Sequence, residues 1–429
     1  MSKEGVAELV APHPSTLKLV RSWLAHHGVQ SSSISTTHGG NWLTLTDVPV
    51  FKANKLLGAS FRLYRYAGTN DTAILRTVNY SLPTVLHAHV QTVVPTTVFF
   101  SSHTLKQTPQ MHPIEAVGAP EKATLKEVLS SREPENDEVT PEFLRWLYKT
   151  FAYTPKAITQ NKLGIAGYGN EFPSFKDLEQ FMTALRPDAV DATFHVEKIN
   201  GGGFEPDMPG FEANLDMQYT QAMAYPIPHI FYSIGGKVRW SNTDRQPMTG
   251  DCDVVWLSYL LELEDKDIPQ TISISYAGNE TFFPPEYAVP MCELFAKLGA
   301  RGVSIVTASG DNGVGAGDCK DEFGNVRFNP IFPGSCMCDI ISLPTSSTHS
   351  QAKVADHIFA GPWITTVGGT KDVLPEIGLV ISGGGFSNIF PQPDYQNVSV
   401  PAFIKSLGTK NKGLYKFVFH RDLTRSFLT

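Results

Sequence analysis

Apolar residues recur at helical spacing over 14–28 (Leu17, Leu19, Val20, Trp23, Leu24), and Gly28 supplies a stop, which predicts a helix. Strand-like runs follow at 41–45, 61–66, 73–78 and 89–93, with a second helical piece at 48–57. Helices interleaved with short strands predict a ferredoxin-like α+β unit over 1–100. From 101 to 140 the composition turns to Pro, Glu, Ser and Lys and includes SSREPENDEVTPE, an exposed linker open to cleavage. Beyond it the pattern changes. Strands are predicted at 163–168 (LGIAGY), 193–199, 229–234, 271–276, 303–308 and 363–367, and helices at 174–185, 212–224, 251–263 and 286–298. Continuous β-branched runs separated by helices are the mark of a parallel sheet covered on both faces, so 141–429 is expected to be an α/β domain. In such sheets ligands bind beyond the carboxyl ends of the strands, so chemistry is sought in the loops there.

Composition narrows the function classes. The 429 residues allow two or three domains, with 41% hydrophobic residues for a sizeable core. Thirty-five basic against 42 acidic residues leave no cationic footprint for nucleic acid. No apolar run is long enough to cross a membrane. The opening MSKEGVAELV lacks the layout of a secretory leader, yet sequons stand at Asn70, Asn79, Asn279 and Asn397. The five cysteines (Cys252, Cys292, Cys319, Cys336, Cys338) all lie in the second half, and no CxxC pair with histidine partners suggests zinc.

Three segments could carry chemistry. Glu212 and Asp216 stand four apart on a predicted helix, which puts both carboxyls on one face, where each raises the proton affinity of the other. The same spacing recurs at Glu133 and Asp137 in the linker, so a solvated acidic face is the plain alternative. Asp311, in Ser309-Gly-Asp-Asn-Gly-Val-Gly315, follows the VSIVTA strand, where an acid kept protonated can donate a hydrogen bond. Ser382-Gly-Gly-Gly-Phe-Ser387 reads first as a tight turn. Seven of the thirteen histidines lie in the first 103 residues, and none of the others stands in a nucleophile-base context, which disfavours a Ser-His-Asp hydrolase.

The segments LVAPHPSTLKLVRSWLAHHG, PGFEANLDMQYTQAMAYP, ISISYAGNE, ARGVSIVTASGDNGVGAGDC, FPGSC, PWITTVGGT and SGGGFSNIFPQPDYQ resemble the sedolisins, serine-carboxyl peptidases, in their fungal tripeptidyl-peptidase branch. The resemblance covers most of 8–415. It implies an activation propeptide over 1–100, acting as intramolecular inhibitor, and a subtilisin-like catalytic domain over 141–429. It implies Glu212 as general base, Asp216 as the acid that orients it, and Asp311 as the oxyanion-hole acid. Ser275, Tyr276, Ala277 and Gly278 correspond to the strand that pairs with substrate backbone, with Ala277 where the family has Gly. The implied activity is release of tripeptides from free N-termini at acid pH, by a secreted, glycosylated, monomeric zymogen.

The departures are specific. No Gly-Thr-Ser occurs; the nearest strings are Gly369-Thr370-Lys371 and Gly408-Thr409-Lys410. The expected chain therefore has a base and an oxyanion donor but no nucleophile, and is inactive as it stands. The family's calcium is implied, with its ligands outside this chain. Residues 337–361 interrupt the run from FPGSC to PWITTVGGT, and 416–429 leave the pattern. The insert reads as translated intron; without it four cysteines remain, and Cys319 with Cys336 is the disulfide expected. The chain is also expected to lack the start of the propeptide, its leader and its last strands, leaving an exposed sheet edge. The alternative class is a non-catalytic peptide-binding or propeptide-type inhibitory product.

Overall fold

The computed structural model describes residues 1–64, 73–99, 139–236, 252–315, 319, 324–336, 363–373, 376–409 and 413–415. The expected linker up to 138, the insert 337–361 and the tail 416–429 lie outside the described residues.

The first domain contains α1 (Lys3–Leu9), α2 (Pro14–His26), β1 (Ile34–Thr36), β2 (Leu43–Leu45), α3 (Val50–Leu57), β3 (Arg62–Tyr64) and β4 (Ile74–Arg76). Pro14 opens α2, where its missing N–H costs nothing, and Gly28 takes the left-handed conformation just past its end (φ 73°). Val20 and Leu24 of α2 pack with Val29, Leu56, Leu57 and Leu86. The strands form two separate antiparallel pairs, β1–β2 and β3–β4, so the ferredoxin-like expectation holds as an α+β unit without one continuous sheet among the described residues. The strand expected at 89–93 is absent: Val90 and Val93 pack against the core from turn and coil, which produces alternation without a ladder.

The second domain runs α4 (Pro141–Leu147), β5 (Leu163–Gly167), α5 (Phe175–Leu185), β6 (Phe194–Ile199), α6 (Phe211–Ala224), β7 (His229–Ile234), α7 (Cys252–Glu262), β8 (Thr271–Ile274), β9 (Gly278–Asn279), α8 (Pro285–Ala300), β10 (Ser304–Ala308), β11 (Ile331–Phe332), β12 (Ile364–Val367), β13 (Thr370–Lys371), β14 (Ile377–Gly378) and α9 (Ser399–Leu407). Six strands form a parallel sheet in the order β12-β10-β8-β5-β7-β6. Successive residues serve opposite faces. Ile165 and Phe231 meet Leu178 and Met182 of α5 and Ala213 and Met217 of α6, whereas Ala166 and Tyr232 meet Trp256 of α7 and Leu294 and Leu298 of α8.

The strand order reverses between β5 and β8. The chain leaves β5 toward β6 and returns through β7, then leaves for β8, β10 and β12 on the other side. That reversal opens a crevice at the carboxyl ends of β5 and β8. α5 and α6 share a face although their connections cross the sheet in opposite directions, so the two crossovers have opposite hands. The connections through α5, α7 and α8 agree; right-handed crossovers are the rule, and α6 is carried by the left-handed exception.

Cys292 of α8 is bonded to Cys336, Cα to Cα 5.5 Å, and Cys319 is a free thiol. This corrects the expected Cys319–Cys336 pair. Cys292 and Cys336 are both fully enclosed in the α7–α8 core layer. Cys319 is tied into its own loop, its N–H donating to Gly315 O and its carbonyl accepting from Arg327 N–H.

The first domain docks on the α7–α8 layer. Lys3 donates its N–H to Asp265 (3.0 Å) and its Nζ to Glu264 (3.0 Å), His38 N–H donates to Glu262 (2.7 Å), and Gln91 donates to Glu293 (3.1 Å). Val98 joins that core directly, with Trp42 and Val94 packed against it.

Candidate active site

Helices that follow parallel strands run back along them, so their N-termini lie at the carboxyl edge of the sheet. Glu212 is in the first turn of α6 and Asp216 one turn on. Gly210 caps the helix and is needed there: a Cβ on it would lie 2.4 Å from Glu171 Cβ. Glu171 itself arrives through the Gly169–Asn170 turn after β5, both residues at positive φ. Asn214 clasps α5 to α6, accepting from Ser174 N–H (2.8 Å) and donating to Asp177 (2.7 Å).

Ser275 Oγ, just past β8, donates to Asp216 Oδ1 at 2.8 Å, while Oδ2 is enclosed without a hydrogen-bond partner among the described residues. Burial pushes the Asp216 carboxyl up to about 8, with further upward pressure from Glu212 and Glu171 against the lowering Ser275 bond. Asp216 is therefore a neutral acid through the acid range, able to offer a proton from Oδ2. Three carboxyls, Glu171, Glu212 and Asp216, interact here. Tyr276 is buried beside them, and its hydroxyl is held protonated by burial and by the same three charges.

Asp311 is half-buried, and burial raises its pKa. β8 and β10 are parallel neighbours with Ile274 opposite Thr307, so Ser275 and the turn of Asp311 leave the sheet side by side. Two hydrogen bonds flank Asp311: Gly383 N–H to Gly310 O (3.0 Å) and Gly313 N–H to Ile381 O (2.7 Å). The glycine run at 382–385 is thus a support for the Asp311 turn, packed so closely that a Cβ on Gly383 would strike Ser309 O.

Of the four residues matched to a substrate strand, Ser275 serves Asp216, and Tyr276 and Ala277 are buried. Gly278 pairs with Phe332 of β11, so the protein's own strand already occupies that edge from Gly278 onward. Among the described residues no group of three or more His, Cys, Asp or Glu is placed to hold a metal ion. Sequence reasoning missed Glu171, Gly210 and Glu280. The first two had a signal, a Gly-Asn turn after the central strand and a glycine before the acidic helix.

Residues 1–99 match the pro-kumamolisin activation domain. The chain is 30% identical over 424 residues to the tripeptidyl-peptidase SED2 of Arthroderma otae, which covers 97% of this chain and 65% of that protein. It is 31% identical over 414 residues to the tripeptidyl-peptidase SED4 of the same organism, covering 94% and 62%, and 31% identical over 427 residues to the probable tripeptidyl-peptidase SED2 of Trichophyton verrucosum, covering 97% and 65%. The chain thus spans less than two thirds of the length of these relatives. A solved Pseudomonas sedolisin, a serine-carboxyl proteinase complexed with two molecules of pseudo-iodotyrostatin, aligns at 16% identity and TM-score 0.39 over 61% of this chain and 66% of that one. Residues 1–99 thus match a pro-kumamolisin activation domain, and over 94–97% of its length the chain is similar to the fungal tripeptidyl-peptidases.

Proposed function

We propose that this chain carries the acid apparatus of an acid-active serine-carboxyl peptidase that removes tripeptides from free N-termini. The observation that supports it most is the buried, neutral Asp216, held by Ser275 and one helical turn from Glu212. In that reading Glu212 takes the proton of an attacking serine hydroxyl, and Asp216 donates to Glu212 and orients it. Protonated Asp311 donates to the carbonyl oxygen as it gathers charge. The set works in acid, because Asp311 must keep its proton while Glu212 has given its own up.

The 429 residues hold no Gly-Thr-Ser, so the proposal assigns cleavage only to this chain extended at its C-terminus. The secreted, glycosylated zymogen and the first domain's inhibitory role belong to the same proposal. Asn79 and Asn397 are exposed and available to a glycan, whereas Asn279 is 2% exposed and its side chain accepts from Thr281. Incubation near pH ~4 with an unblocked peptide reporter tests the reading. Release of tripeptides by the extended form alone supports it, and cleavage by the 429-residue chain refutes the missing nucleophile. No cleavage by either form favours the non-catalytic, peptide-binding or inhibitory class.

A further inference from the structure

Glu280 is a carboxyl the chemistry above does not use. It is 1% exposed, and it sits five residues after Ser275. Its two oxygens accept from different groups of one segment: Oε1 from Ser387 Oγ (2.5 Å) and Oε2 from Asn388 N–H (2.6 Å). Ser335, on a third segment in the turn closed by the Cys292–Cys336 bond, stands near enough to lower the proton affinity of Glu280. Its own N–H donates to Pro330 O (3.0 Å). Among the described residues no basic side chain pairs with it, and one hydroxyl and one backbone amide hold the buried acid in place.

The segment that Glu280 grips is the continuation of the glycine run whose Ile381 and Gly383 bond either side of Asp311. On its other side, Glu280 continues the segment whose Ser275 holds Asp216. We propose that Glu280 is a positioning residue that joins these two halves, fixing the Asp311 turn relative to Asp216 and its partner Ser275. The inference rests on the peptidase reading for what the site does, but the linkage it describes is read without turnover.

The test uses the full chain with 13C-labelled aspartate carboxyls and hydrogen exchange by mass spectrometry, for Glu280→Gln and Ser387→Ala. Glutamine keeps the shape but can accept only one of the two donors, and loss of a bond to a charged group corresponds to about tenfold faster exchange or more. The expected result is that faster exchange in 381–388 and in 309–315, with the Asp311 titration moving toward the ordinary aspartate range. Exchange in α5 and β6, away from the linkage, should not change. Ser387→Ala, which removes one donor and leaves the carboxyl, should move both readouts in the same direction by less. An unchanged Asp311 titration in both variants, or uniformly faster exchange across the domain, overturns the inference and leaves Glu280 as ordinary scaffold. If Asp311 responds while the extended chain cuts no peptide, the linkage stands and the peptidase reading fails. The reverse pair of results separates them the other way.

Discussion

Ser275 Oγ lies 2.8 Å from Asp216 Oδ1, and among the described residues it is the one side chain that donates to this sealed carboxyl. A residue matched by resemblance to substrate binding thus spends its hydroxyl on the site's own acid. Ser275→Ala should leave a buried carboxyl without a donor, costing about 1–3 kcal/mol. Because that bond lowers the Asp216 pKa, its removal should raise it further, readable by titrating a labelled Asp216.

Asp216 also sets a pH dependence of stability. The unfolded carboxyl titrates near 3.8 and the folded one near 8, so between those values the native state holds a proton that the unfolded chain has lost. Stability from this group is full below the lower value and falls as pH rises through the window. Thermal melts should therefore show a higher midpoint at acid than at weakly alkaline pH, and Asp216→Asn should flatten that slope. A wild-type midpoint that climbs steadily from acid to alkaline pH would contradict the burial argument.

The disulfide gives a sharp contrast between cysteines. Cys292 and Cys336 close a loop with a sequence separation of 44, and losing a cross-link of such length costs about 2–4 kcal/mol. Cys336→Ser should lower the melting temperature by several degrees, while Cys319→Ser should leave it nearly unchanged. Mass mapping of unreduced peptides should recover the 292–336 link.

Gly210→Ala tests the seat of the acidic helix. The added methyl would meet the Cβ and Cα of Glu171, so α6 or the 169–171 turn must shift, at a cost of about 1–3 kcal/mol. The expected signature is a lower melting point together with a displaced Asp216 titration.

Much of this was legible before any coordinates. The strands at 163–167, 229–234 and 304–308 and the helix at 211–224 follow from apolar runs whose burial the parallel sheet demands. The place of Asp311 beyond the end of its strand, and of Glu212 and Asp216 on one helix, followed from the same alternation. What spacing could not convey was pairing across the fold. Cys319 is nearer to Cys336 along the chain, but Cys292 reaches it from a buried helix. Glu280 gave no sign in a strand-like run because its partners lie more than a hundred residues on. The 89–93 stretch misled because side chains can alternate between core and solvent without a neighbouring strand.

The uncommon hand of the connection through α6 has a bearing on when this chemistry can exist. β5 and β6 are not neighbours; β7 separates them, pairing with both. Until β7 is threaded between its two partners, α6 has no completed surface to lie on, and its acids cannot meet Ser275 beyond β8. A nascent or half-assembled chain accordingly lacks the constellation altogether, and its acids come together only as the sheet is completed.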